Sequence, residues 1–181
     1  MSKVIFLDID GVLNTTGDKK LINNMVEESK LNNLVNLINN TQSVLVVISD
    51  RRLLEDERLK IESIFDKYEI LVNYLSLKRT HRKRSDEVLY YLNNHKDITN
   101  YVILDDNDLG YSEDIVLHPH FINTYKNGFG EDEYNKAIII LNNYARWDRW
   151  IMGINQKHDK YYHNTKNIRV VLKKIEIKRS N

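Results

Sequence analysis

The chain has 181 residues, 41% of them hydrophobic and 29% charged, and a formal net charge of +1. That length suits one domain with room for a small appendage and is enough to bury a core without staples. No apolar run approaches the roughly 20 residues that span a bilayer, and the lack of cysteine excludes disulfides, thiolate catalysis and cysteine-bound zinc. The apolar stretch at residues 4–7 is too short for a signal peptide. These features together lead to the expectation of a cytoplasmic, intracellular protein without a membrane partner. The near-neutral charge is unevenly spread. Residues 145–181 carry ten Lys/Arg against three Asp/Glu, and residues 78–84 carry five Lys/Arg and no acid.

Taken in chain order, residues 4–7 form a short apolar run that ends in Asp8-Ile9-Asp10-Gly11, as expected of a buried strand in a parallel sheet. Residues 21–40 place Leu31, Leu34, Val35 and Ile38 at helical spacing. Residues 44–48 are a second apolar, strand-like run. Residues 53–68 read as a helix with Leu54, Arg58, Ile61, Ile64 and Phe65 setting its faces, and residues 70–75 read as a third strand. Residues 86–94 are helical, with Val88, Leu89 and Leu92 facing inward and Ser85 as N-cap. Residues 102–104 make a fourth strand that runs into Asp105-Asp106. Residues 115–117 and 121–122 are short extended pieces around Pro119. Residues 131–144 read as a helix whose acidic first turn suits the positive end of its dipole. In the tail, residues 168–177 set Val170, Val171, Leu172 and Ile175 among lysines, which fits a strand or a hairpin.

Apolar strands alternating with amphipathic helices predict a doubly wound α/β fold. Such folds bind their ligands at the carboxyl ends of the strands. Three predicted strands end in polar or acidic residues: Asp8-Ile9-Asp10, Ser49-Asp50 and Asp105-Asp106. The topology therefore brings together residues that are far apart in sequence.

Two carboxylates one residue apart at a strand end have a simple division of labour. One attacks and binds metal, and the other, aimed away, moves a proton. Carboxylate nucleophiles of this kind form aspartyl-phosphates. Gly11 permits the tight turn that follows. Alone, Asp-x-Asp-Gly also fits an acidic turn. Asp105-Asp106 can complete an oxygen-lined magnesium site with Asp8, although such a pair alone also fits a solvated turn. Clustered carboxylates repel one another, and Mg²⁺ relieves that while neutralising phosphate charge. The Ser49 hydroxyl can reach a phosphoryl oxygen or serve as a plain turn residue. Lys83 or Arg84 can hold phosphate and nucleophile together, or belong to a solvated basic face.

The ordered set of residues 5–14 (Ile-Phe-Leu-Asp-Ile-Asp-Gly-Val-Leu-Asn), then Val46-Val47-Ile48-Ser49, then Arg84, then Ile103-Leu104-Asp105-Asp106 resembles the four motifs of the haloacid dehalogenase-like (HAD) superfamily. More closely, it resembles the HAD domain of Swiss-Army-Knife RNA repair proteins, with Ser49-Asp50-Arg51-Arg52 and Asn127-Gly128-Phe129 at the corresponding later stretches. The resemblance covers residues 3–144. It implies a Rossmann-like, mostly parallel HAD sheet flanked by helices, and a Mg²⁺-dependent phosphatase working through an aspartyl-phosphate. Asp8 would be nucleophile and metal ligand. Asp10 would be general acid/base, with its carbonyl on the metal. Ser49 would bind phosphate, Arg84 or Lys83 would supply the cation, and Asp106 would ligate metal with Asp105 in support. Asp50 and Arg51 depart from the serine- and tryptophan-rich stretch of that family.

Only about ten residues, 15–24, separate the first motif from the first helix, so no large cap domain is expected. An open site beside the 78–84 run suits a phosphorylated nucleic-acid end, since basic residues track backbone phosphates without sequence preference. Tyr90, Tyr91, Trp147 and Trp150 could stack bases, though core or tail packing is the preferred reading for them. The expected organisation is a HAD-like phosphohydrolase domain at residues 1–150 and a basic extension at 151–181. Two alternatives stay open: a non-catalytic nucleic-acid-binding module on the same scaffold, and a small-molecule nucleotidase. The sequence leaves the oligomeric state open.

Overall fold

The structure is a computed structural model that describes residues 2–143. In chain order its regular elements are β1 (Ser2–Leu7), α1 (Glu28–Thr41), β2 (Ser43–Val47), α2 (Glu55–Phe65), β3 (Val72–Tyr74), α3 (Arg84–Asn94), β4 (Ile98–Asp105), β5 (Phe121–Asn123) and α4 (Glu131–Asn143). The strands form one parallel sheet of order β3-β2-β1-β4-β5. The chain builds outward from β1 to β3 on one side. It then crosses back to lay β4 and β5 on the other. The topological switch point therefore lies between β1 and β4, and ligands of open α/β sheets bind at such points. No second domain is inserted between these elements among the described residues.

The pleat of β1 sorts the core into two layers. Ile5 and Leu7 face one way, into a core completed by Leu31, Leu34 and Leu37 of α1, Ile61, Ile64 and Phe65 of α2, and Ala137 and Leu141 of α4. Val4 and Phe6 face the other way, against Val88 and Leu92 of α3 with Tyr101, Ile103 and Tyr111. Both faces of the sheet are covered, which is why its strands read as continuous apolar runs rather than as alternating ones.

The expected α/β architecture stands, with differences of detail. The first helix begins at Glu28, not at residue 21. Asn23 and Asn24 adopt positive φ, Ile22 and Val26 bridge, and the Glu27 side chain caps the helix at the Lys30 N–H. β4 starts at Ile98, well before residue 102, because Asn100 is satisfied inside the strand: its amide donates to the Ile140 and Leu141 carbonyls of α4. Leu54 is 62% exposed, and the buried face of α2 is Ile61, Ile64 and Phe65. Residues 70–75 contract to the three-residue edge strand β3. Residues 115–117 are turns rather than extended, since the Asp114 carboxylate accepts the Val116 and Leu117 N–H groups. Ser85 is not the cap of α3. That helix starts at Arg84, and Ser85 is buried against the Gly110 turn. The expectations for residues 151–181, the boundary at 150, Trp147 and Trp150 lie outside the described residues.

The loop before α4 is fastened to the turn that follows β1. Gly128 has φ +70, the neighbouring Phe129 is fully buried, and the Phe129 N–H bonds the Val12 carbonyl at 2.8 Å. Phe129→Ala should lower unfolding stability by about 3–5 kcal/mol, as expected for loss of a buried phenyl ring. Urea unfolding followed by circular dichroism should show this as a lower midpoint with unchanged slope.

Candidate active site

The parallel register aligns Leu7 with Leu104, so the next residues, Asp8 and Asp105, leave their strands side by side. The Asp8 N–H extends the ladder to the Leu104 carbonyl at 2.9 Å. Strand alternation continues past Val4 and Phe6 to Asp8, and past Tyr101 and Ile103 to Asp105. Both carboxylates therefore point to the α3 side. Asp8 is 7% exposed and Asp105 is fully buried.

Two buried carboxylates in contact need a counter-charge, and α3 supplies one from its first residue. One terminal nitrogen of Arg84 lies 3.1 Å from Asp8 Oδ2 and 2.8 Å from Asp105 Oδ2, and the other lies 3.4 Å from Asp50. Burial works against the Arg84 charge, yet Asp8 and Asp105 hold its proton more firmly than usual. The Arg84 Nε is buried and has no hydrogen-bond partner among the described residues. Lys83 is turned elsewhere, toward Glu113 at 3.1 Å.

Asp105 is saturated by its neighbours. Its Oδ2 also accepts from the Tyr111 hydroxyl at 3.2 Å, and its Oδ1 accepts the Asn107 N–H at 3.0 Å. Burial first, and then the Asp8 charge, push its carboxyl well above the usual carboxylate range against the pull of Arg84. Asp106 is raised for the same two reasons, in the same order. Asp8, Asp105 and Asp106 each offer one oxygen, and these oxygens lie within 4.8 Å of one another. Three clustered carboxylates against one guanidinium leave a surplus of negative charge that fits a divalent cation, with Asp8 and Asp106 the less committed donors. Gly11 makes room for this group. At φ +73, a Cβ there would sit 2.2 Å from Asp106 Oδ2 and 2.5 Å from its Cβ, closer than any small adjustment could relieve.

The Asp10 side chain lies outside that cluster and is 54% exposed. Arg51 grips it in a two-pronged pair, Nε to Oδ2 at 2.7 Å and a terminal nitrogen to Oδ1 at 2.8 Å, and Asn14 adds a bond at 3.2 Å. These hydrogen bonds, Arg51 foremost, hold the Asp10 carboxyl below the usual carboxylate range. The third Arg51 nitrogen pairs with Glu57 on α2.

Ser49 follows β2 and is buried, and its hydroxyl makes no hydrogen bond among the described residues. The loop it begins is held from beneath by Arg52, whose side chain is fully buried. Arg52 donates to the Ile48 carbonyl, to the Ser49 carbonyl at 3.0 Å and to the Ser76 carbonyl at 2.9 Å, and it pairs with buried Glu87 at 2.7 Å. Sequence reading missed Arg51, Arg52, Glu87 and Tyr111. The sequence places Arg51 and Arg52 only in the stretch that corresponds to the family's second motif, with no role of their own. Glu87, however, precedes Val88 and lies three residues after Arg84 on the buried stripe of α3, and that spacing was the available signal. Of the aromatics, Tyr91 packs edge-on against Phe6 and stacks on His95, while Tyr90 is exposed beside His81.

The family model for the HAD domain in Swiss Army Knife RNA repair proteins matches residues 4–133. No curated protein and no solved structure matches the chain. Among the described residues, no helix is long and apolar enough to cross a membrane.

Truncating one member of a buried ion pair strands the other charge. Glu87→Ala should therefore lower unfolding stability by about 3–5 kcal/mol, with much of that recovered when Arg52 is also replaced by methionine. A double-mutant cycle in denaturant measures the coupling.

Proposed function

The chain belongs to this family of HAD domains, and on that premise we propose that it is a Mg²⁺-dependent phosphatase acting through an aspartyl-phosphate on Asp8. The observation that carries the reading is the Arg84 guanidinium shared by Asp8 and Asp105, beside Asp106, at the switch point of the sheet. A carboxylate held against a buried cation, at the place where such folds bind ligands, is suited to attack an anionic phosphate that it would otherwise repel.

In the first step an Asp8 oxygen bonds to phosphorus, the ester P–O bond breaks, and Asp10 gives its proton to the leaving oxygen. In the second step water attacks the phosphorus of the aspartyl-phosphate. Asp10 takes the proton, and Asp8 and inorganic phosphate are released. Arg84 neutralises the phosphoryl oxygens, and the Ser49 hydroxyl, free of other hydrogen bonds among the described residues, is a donor to them. Asp8 and Asp106, with the Asp10 carbonyl, would hold Mg²⁺, and Asp105 would orient Arg84. When bound, Mg²⁺ supplies positive charge to the phosphate and to the surplus carboxylates. Lys83 is assigned to the surrounding basic face, because it pairs with Glu113.

The substrate we favour is a phosphorylated nucleic-acid end. Exposed Lys78, Arg79, Arg82 and Lys83 adjoin α3, and Arg79 pairs with Asp50, which itself reaches Arg84. The basic loop is thus linked to the phosphate pocket by one acidic residue. Among the described residues the Asp10 side chain is half exposed, which suits a leaving group that belongs to a larger molecule.

The purified full chain should release phosphate from an aryl phosphate only with Mg²⁺, and Asp8→Asn should abolish this by at least about 10³-fold; a variant that retains turnover would refute attack by Asp8. Mg²⁺ should raise the Tm of the wild type, and Gly11→Ala, which crowds Asp106, should remove most of that shift in a thermal-unfolding assay. With 3′- or 5′-phosphorylated oligonucleotides, kcat/KM should exceed that for mononucleotides and fall as salt rises. Equal rates on both would favour a small-molecule nucleotidase.

A further inference from the structure

All three guanidinium nitrogens of Arg51 are committed to carboxylates. Two bind the two oxygens of Asp10, and the third binds Glu57, which is anchored on α2 and paired with Lys60 at 2.6 Å. A cation saturated in this way has little left to offer a substrate phosphate. Its geometry instead transmits the rigid position of a helix to an otherwise half-exposed side chain. Planar, two-pronged guanidinium–carboxylate pairing fixes both the direction and the plane of the carboxylate.

From this arrangement we infer that Arg51 is a positioning residue that fixes the direction and plane of the Asp10 carboxylate, the base for the second half of the reaction. The inference rests on the phosphatase reading above. Asp10 gives up its proton in the first step, and Arg51 keeps both carboxylate oxygens in a fixed position afterwards. The water oxygen then bonds to phosphorus, the P–O bond to Asp8 breaks, and the water proton passes to the carboxylate that Arg51 and Asn14 keep in place. Among the described residues, Arg51 and Asn14 are the hydrogen-bond partners of the Asp10 carboxylate, so loss of Arg51 leaves it with Asn14.

The test uses the full chain, Mg²⁺ and p-nitrophenyl phosphate, whose leaving group needs no proton. Formation of the aspartyl-phosphate then governs kcat/KM, and its hydrolysis contributes to kcat. Arg51→Met should lower kcat about tenfold or more and leave kcat/KM within about threefold. It should also produce a burst of nitrophenolate approaching one per active site before steady state. Arg51→Lys should recover part of kcat, and Glu57→Gln should shift kcat in the same direction by less. A parallel fall of kcat and kcat/KM without a burst would assign Arg51 a purely structural role and overturn the inference alone. A rise in kcat would show that Arg51 restrains Asp10 from acting and would also overturn it. Absence of turnover in the wild type, or turnover indifferent to Asp8→Asn, would overturn the phosphatase reading and the inference with it.

Discussion

Arg84 resolves the main electrostatic conflict of this fold. The β1–β4 register places Asp8 beside Asp105 at buried strand ends, and two such charges repel unless one is protonated or a cation intervenes. α3 begins at the residue that provides the cation. The rest of the site depends on that junction. Tyr111 and the Asn107 N–H complete the shell of Asp105, and Asp50 reaches Arg84 from the β2 side. Breaking the junction would leave a charge uncompensated in the interior, so architecture and site share one determinant.

A second buried pair, Arg52 with Glu87, does for the backbone what Arg84 does for the carboxylates. Arg52 gathers the carbonyls of Ile48, Ser49 and Ser76 under the loop after β2, and Glu87 balances its charge from α3. Arg84 and Glu87 sit one helical turn apart. A single face of α3 therefore supports both the acidic cluster and the loop opposite it. The more exposed Arg51–Asp10 pair repeats the scheme at the mouth of the site, with α2 as its anchor.

Much of this was legible in the residues. The apolar runs marked the buried strands because both faces of the sheet are covered, and the Asp-x-Asp-Gly and Asp-Asp strand ends marked where the site would form. Less legible were elements held by side-chain hydrogen bonds. Asn100 extends β4 through contacts to α4, more than 40 positions along the chain in one case and 40 in the other. Asn23 and Asn24 end what periodicity alone reads as the start of α1. Asp114 turns an apolar triplet that looked extended.

The division follows from the range of the forces involved. Local pattern determined the order of strands and helices, the HAD-type motifs and the candidate acids, because periodicity and turn chemistry act over a few residues. Only tertiary structure decided between Lys83 and Arg84 as neighbour of Asp8, since one helical step turns one side chain into the site and the other toward Glu113. It also decided that Arg51 and Arg52, adjacent in sequence, have opposite fates, one gripping Asp10 at the surface and the other buried against Glu87. The sequence placed those two charges side by side, and the partners that distinguish them come from α2 and α3.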